Sequence, residues 1–389
     1  MIRVLFWSTT WQADNHALAH ALAGEEDFEV TVAMAQPERW RAEPVGALLP
    51  VAGQLVDRED PGIEARLARE QFDLLVVDNH LPRRALAPRV LVLWHGFGWR
   101  VDDLSTTRRE LGKLAGDVTR PSEALRWASF GDWDSAYRQQ HSGIAAENLF
   151  TLGSPYSDWL LPDSPGRVVP RAEQVCHAYT IDIERPVVQL GLTWHHGGSL
   201  GHWGDEAQLL ESLVQHVAQA GASTLLRAHD RHRYAPDYVA MLEELAARHP
   251  GRLQLKFKSE SPDSLVDLLV SDVLVSNYSS LLNAWYYTGK PSLHVDPHDA
   301  SAAQQVSYKM RFGLPMPERV SAEEKWKLPP SEHGGLRATS FEELLAGLDR
   351  ALREPRCCEE QAARFVQRYI HRADGGTCQR AAEMLRHWV

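Results

Sequence analysis

Short apolar runs alternate with amphipathic stretches along the whole chain. Residues 2–7, 29–34, 73–77 and 90–93 read as strands, with a helical stretch near 15–23 between the first two. Strands that are apolar at consecutive positions are buried on both faces, which suits a parallel sheet covered by helices. Residues 150–152 read as one more strand, entering a turn at Gly153-Ser154-Pro155. The pattern then breaks. Pro162, Pro165, Gly166, Pro170 and Pro186 punctuate a stretch with little periodicity, which reads as a linker containing at most a short helix. A second series follows, with strands predicted at 186–192, 223–227, 253–257, 273–276 and 293–295. Helices are predicted at 208–220, 238–248, 262–269, 281–288, 341–353, 358–371 and 376–388. The helix at 208–220 carries Leu209, Leu210, Leu213, Val214 and Val217 on one face.

Two βαβ series predict an α/β protein with two Rossmann-like, doubly wound domains facing one cleft. The expected division is 1–165, a linker at 166–185, 186–372, and a terminal helix at 373–389 packing back on the first domain. A length of 389 residues fits two domains. No run of 18 apolar residues occurs, so no transmembrane helix is expected. The first residues lack the long apolar core of a signal peptide, and a cytoplasmic location is expected. The four cysteines show neither a metal spacing nor a disulfide framework. A net charge of −11 argues against general nucleic-acid or anionic-membrane binding, although Arg83-Arg84, Arg100, Arg108-Arg109 and Lys113 make part of the first half basic.

The candidate chemistry sits just past the carboxyl ends of predicted strands, where such sheets bind ligands. These segments are Asp78-Asn79-His80, Trp94-His95-Gly96-Phe97-Gly98, Thr193-Trp194-His195-His196, Arg227-Ala228-His229 and Asn277-Tyr278-Ser279-Ser280. His95, between a tryptophan and a glycine turn, is the leading general base; a loop-capping structural histidine is the alternative. Arg227 and His229 both offer donors to phosphate oxygens, with an exposed charged loop as the alternative. Ser279 and Ser280 stand at a strand-to-helix junction, which suits a phosphate and equally suits a plain cap. His195-His196, His294 and His298 lack a companion set of ligands, and no metal is expected. No phosphate-binding G-x-x-x-x-G-K-[ST] loop, G-x-G-x-x-G turn or G-x-S-x-G elbow is present.

Six segments, taken in order, resemble the CDP-glycerol glycerophosphotransferases of teichoic-acid and capsule synthesis. They are Val77–Pro82 leading to Trp94-His95-Gly96, Leu152–Leu160, Pro186–Trp194, Leu226–Asp230, Asp272–Pro291, and Asp374-Gly375-Gly376 with Arg380. The resemblance implies a GT-B fold and a transferase that moves a glycerol-phosphate or similar polyol-phosphate unit onto an acceptor hydroxyl, releasing CMP. It implies His95 as base and His229 as a second essential histidine. Arg227, Ser279, Ser280, Thr193 and Asn277 would hold the donor, while Asn79, Gly96, Gly98 and Arg100 would line the acceptor side. No cofactor is required. The expected partners are a nucleotide-activated donor and a hydroxyl acceptor on a lipid-linked or saccharide carrier, compatible with peripheral contact at the inner face of the membrane. The chain departs from the family pattern at Ser157, Leu192, His195, Asn277 and Ala228, positions that bear on donor identity. Two alternatives are a nucleotide-sugar-dependent glycosyltransferase on the same fold and a non-catalytic nucleotide-binding protein.

Overall fold

The computed structural model describes residues 1–8, 11, 13–49, 53–94, 96–99, 104–164, 172–179, 182, 184–191, 200–258, 264–277, 279–296, 306–311, 314–319, 326–329 and 331–389. The chain forms two compact units. Unit 1 comprises residues 1–97, 102–170 and 366–389; unit 2 comprises 98–101 and 171–365. The first unit therefore takes up the chain again at 366, earlier than the sequence division at 372. Local bonds explain why: the His371 N–H donates to the Phe130 carbonyl at 2.7 Å, and the Tyr369 ring packs against Phe97 and Trp133. The helix Ala172–Tyr179, inside the stretch read as linker, belongs to unit 2.

Among the described residues, unit 1 holds seven parallel strands: β1 (Ile2–Trp7), β2 (Phe28–Met34), β3 (Gln54–Asp57), β4 (Leu74–Val77), β5 (Arg89–Val92), β6 (Leu125–Ser129) and β7 (Leu149–Thr151). Their order is β3-β2-β1-β4-β5-β6-β7. β4 is wholly buried, as a strand with helices on both faces must be. β3 and β6 were not predicted, because polar residues interrupt them. In β6 the Arg126 guanidinium bonds the carbonyls of Ser122, Leu125 and Glu147, so a charge is accommodated at a strand position.

Unit 2 holds β8 (Val187–Gly191), β9 (Ser223–Ala228), β10 (Leu253–Phe257), β11 (Val273–Ser276), β12 (Ser292–Val295), an antiparallel hairpin of β13 (Val306–Arg311) and β14 (Leu314–Arg319), and β15 (Leu336–Ala338). Its parallel sheet runs β10-β9-β8-β11-β12-β15. The helix Glu206–Gln219 starts at Asp205, whose side chain accepts the Gln208 N–H at 2.9 Å. It buries Leu210, Leu213, Val214 and Val217 on the sheet, at the spacing read from the sequence.

Each sheet reverses its winding once, between β1 and β4 in unit 1 and between β8 and β11 in unit 2. Crevices outside the carboxyl ends of strands at such reversals are where open α/β sheets take ligands.

Candidate functional site

In unit 2 the strand register sets one row of residues across the carboxyl edge: Lys256, Arg227, Gly191, Ser276, His294 and Arg337. Residues in register on parallel strands share a face. Arg227 donates to Asp267 at 2.5 Å and Lys256 to the same carboxylate at 2.8 Å, all three buried. Together these side chains carry one net positive charge. Their common partner, on the helix Leu265–Val270, was not visible in the sequence, where Arg227 reads as a direct phosphate ligand. At the reversal itself the Ser276 hydroxyl donates to the Gly191 carbonyl at 2.6 Å, tying β11 to β8. Asn277 follows and is buried. Ser279 is the N-cap of the helix Ser280–Tyr286, its hydroxyl accepting the Leu281 N–H at 3.3 Å. The cap reading of this serine is therefore realised. Lys290 donates to the Ser271 carbonyl at 2.6 Å.

His229 lies one residue past β9, a quarter exposed. The Asp230 N–H donates to its Nδ1 at 2.7 Å, so the neutral ring carries its proton on Nε2. The Asp230 carboxylate, 2.9 Å from the same Nδ1, suits the protonated ring. In both states Nε2 is a donor, the form a phosphate oxygen needs. The His229 N–H donates to the Tyr234 hydroxyl at 2.8 Å, which fixes the loop.

Unit 1 has a different row. Val56, Ala33, Trp7, Val77, Val92, Trp127 and Leu149 are in register and apolar. The polar groups stand one step further out. Ser8 donates to Asp78 at 3.0 Å across the β1/β4 reversal, and Asn15 donates to Ser8 at 3.3 Å. Asn79 is half-buried at the end of β4. Beyond β5 the backbone is strained: Trp94 has φ +64° and Gly96 has φ +115°. A left-handed tryptophan costs about 1–2 kcal/mol. Packing holds it there, with the buried Arg138 guanidinium 5.5 Å from the Trp94 ring and 5.2 Å from Trp127. His95, between these two positions, lies outside the described residues, as do Arg100 and Thr193. Gly98 belongs to the short piece of chain counted with unit 2.

Two further motif segments form one structural joint in unit 1. The Asp158 carboxylate accepts the Thr377 and Cys378 N–H groups at 3.0 and 2.7 Å, capping the terminal helix Thr377–Trp388. Arg380 donates to both oxygens of Asp374, at 2.8 and 3.0 Å, and to the Arg372 carbonyl. Asp158 thus ties the terminal helix to the rest of unit 1, while Arg380 and Asp374 brace the turn that leads into it. A groove of about 600 Å³ beside β3, lined by Glu38, Asp57, Asp60 and Glu70 with Arg66, is acidic and ill suited to a diphosphate. Among the described residues no group of three His, Cys, Asp or Glu side chains is arranged to hold a metal, and no helix is long and apolar enough to cross a membrane.

No protein-family model matches the chain, and no curated protein matches it. Solved structures do. The chain is similar to the wall teichoic acid polymerase TagF, with a TM-score of 0.67 at 12% identity over 99% of this chain and 88% of that one. The same enzyme soaked with CDPG gives 0.67 at 13% identity, with the same coverage. UDP-GlcNAc 2-epimerase from Neisseria meningitidis bound to UDP-GlcNAc gives 0.57 at 13%, over 99% of this chain and 100% of that one. A glycosyltransferase from Rickettsia africae ESF-5 gives 0.51 at 10%, over 100% and 98%. The architecture shared with these proteins is GT-B, built here from two Rossmann-like units.

Proposed function

We propose that the chain is a transferase that moves a glycerol-phosphate or similar polyol-phosphate unit from a CDP-activated donor to an acceptor hydroxyl, releasing CMP. The observation that carries this reading is the edge of unit 2. Ser276 bridges the sheet reversal there, with Asn277, Ser279 and Ser280 directly after it. On the neighbouring strand a buried pair of cations shares one carboxylate, and His229 presents an Nε2 donor. Donors and net positive charge of this kind stabilise a diphosphate and a departing nucleotide. The motif order supports the polyol-phosphate donor, and so does the fold shared with TagF, one structure of which was soaked with CDPG.

In this mechanism an acceptor oxygen attacks the donor's glycerol-linked phosphorus, the bond to the CMP oxygen breaks, and His95 takes the hydroxyl proton. His229 donates to the phosphate oxygens through Nε2 as negative charge builds on the leaving group. Arg227 acts from beneath the edge, as a fixed positive charge held by Asp267. Ser279, Ser280, Thr193 and Asn277 would contact the donor; Asn79, Gly96, Gly98 and Arg100 would line the acceptor side. No cofactor takes part.

A nucleotide-sugar donor is the second reading. It is favoured by the departures at Leu192, His195 and Asn277, and by the fold shared with an epimerase bound to UDP-GlcNAc. Product analysis with CDP-glycerol, CDP-ribitol, UDP-GlcNAc and a GDP-sugar separates the two. CMP with a matching polyol-phosphate adduct supports the first, and UDP or GDP release supports the second. Nucleotide binding with no product from any donor would leave a non-catalytic protein.

A further inference from the structure

The loop after β4, at the carboxyl edge of the unit 1 sheet beside the β1/β4 reversal, carries an imidazole, His80, to which the proposed mechanism gives no role. Asp78, buried, stands one residue past β4. Its Oδ2 accepts the Ser8 hydroxyl at 3.0 Å, from the strand on the other side of the reversal. Its Oδ1 accepts the His80 N–H at 2.7 Å and lies 3.2 Å from His80 Nδ1. The backbone bond is an ordinary turn around an aspartate. The ring contact and the Ser8 bond go further, because they fix the carboxylate on one side and the imidazole on the other. A carboxylate has no proton to give, so Nδ1 of His80 must carry the hydrogen. In the neutral ring Nε2 is then a lone-pair acceptor, and the side chain is 47% exposed. The register Trp7–Val77–Val92 brings the loops after β1, β4 and β5 out along one edge, so His80 leaves the sheet beside the strand that leads into the strained turn at Trp94.

We propose that His80, oriented by Asp78, binds a hydroxyl of a polyol ligand by accepting its O–H proton in a hydrogen bond at Nε2. No proton is transferred in this contact. His80 thereby sets acceptor affinity, and Asp78 is its positioning residue. The proposal rests on the transferase reading for the identity of the ligand as acceptor, but the binding itself is testable without turnover.

The experiment titrates glycerol 3-phosphate into the full chain by calorimetry, with inorganic phosphate as the control ligand, for wild type, His80→Ala, His80→Gln and Asp78→Asn. CMP release from CDP-glycerol is measured in parallel. Losing a hydrogen bond of this kind weakens binding about tenfold. His80→Ala is expected to raise the Kd for glycerol 3-phosphate, and the KM for acceptor, by about that factor, with donor KM and melting temperature unchanged. His80→Gln restores part of the loss, and Asp78→Asn falls between. The proposal is overturned by no binding to wild type, by a His80→Ala Kd within twofold of wild type, or by inorganic phosphate binding as tightly as glycerol 3-phosphate. If the His80-dependent binding is found while wild type releases no CMP from any donor, the hydroxyl site stands and the transferase reading falls.

Discussion

The two sheet reversals share a topology and differ in chemistry. In unit 2 the edge row is polar and cationic, and Ser276 closes the reversal on a backbone carbonyl. In unit 1 the corresponding row is apolar, and a carboxylate closes the reversal by accepting from Ser8. The two edge histidines follow suit. His229 receives an N–H at Nδ1 and so offers a proton from Nε2; His80 gives its Nδ1 hydrogen to Asp78 and so, as the neutral ring, offers a lone pair. On the reading proposed above, one edge suits phosphate oxygens and the other suits hydroxyls. The same topology carries two different sets of hydrogen-bonding groups, set by a handful of residues one step past each strand.

The largest expected effect is on the unit 2 edge. His229→Ala lowers kcat for CMP release by about 10²–10³-fold, the usual worth of one hydrogen-bond donor aimed at charge that builds in the transition state. Retention of wild-type turnover would remove the donor role from this histidine. Next, Asp267→Ala leaves Arg227 and Lys256 buried without their shared carboxylate and costs unit 2 about 3–5 kcal/mol, read from chemical denaturation. A loss below 1 kcal/mol would mean that the buried charges are held by other groups.

Unit 1 has a pH dependence of its own. Burial raises the Asp14 carboxyl to about 6 despite bonds from Ser154 and the Tyr156 N–H, and burial lowers His16 to about 3. The folded state therefore holds the Asp14 proton more tightly than the unfolded chain, and stability falls as pH rises from about 4 to 6. His16 works in the opposite sense: its stability contribution is present above about 6.5 and is lost as pH falls toward 3. The two offset each other in wild type. Asp14→Asn should leave unit 1 gaining stability with pH across 4–6, and His16→Phe should leave it losing stability there, each by about 3 kcal/mol at most. Equal slopes in both variants would contradict these assignments. The smallest effect is Ser279→Ala, which removes a cap worth about 1 kcal/mol. If donor KM stays at wild type, Ser279 is a cap alone; a rise in donor KM larger than the stability loss explains adds a phosphate contact.

Much of the fold was legible. Wholly apolar runs such as Leu74–Val77 and the spacing of Leu210, Leu213, Val214 and Val217 report burial directly. β3 and β6 were not, because Gln54, Asp57 and Arg126 break the apolar pattern: Gln54 is exposed, Asp57 accepts the Glu59 N–H, and Arg126 reaches the Glu147 carbonyl, 21 residues on. For the site, position was legible and partnership was not. The segments around Asn79, Arg227, His229 and Ser279 do stand at strand ends. Nothing in the chain announces that Asp267, 40 residues on, holds Arg227, or that Ser8 meets Asp78 across 70 residues. Asp158 and Asp374 belong to two of the resembling segments, and in the fold Asp158 holds the start of the terminal helix while Asp374 bonds Arg380 within it, contacts that the segments alone do not announce.

The contrast between the two edges is tested most directly by amide hydrogen exchange on the full chain with and without CDP-glycerol. Protection is predicted in peptides covering residues 226–234 and 274–286 of unit 2, with residues 8–16 and 78–82 of unit 1 unchanged until an acceptor is added. Protection by the donor at the unit 1 edge, with none at the unit 2 edge, would contradict the account.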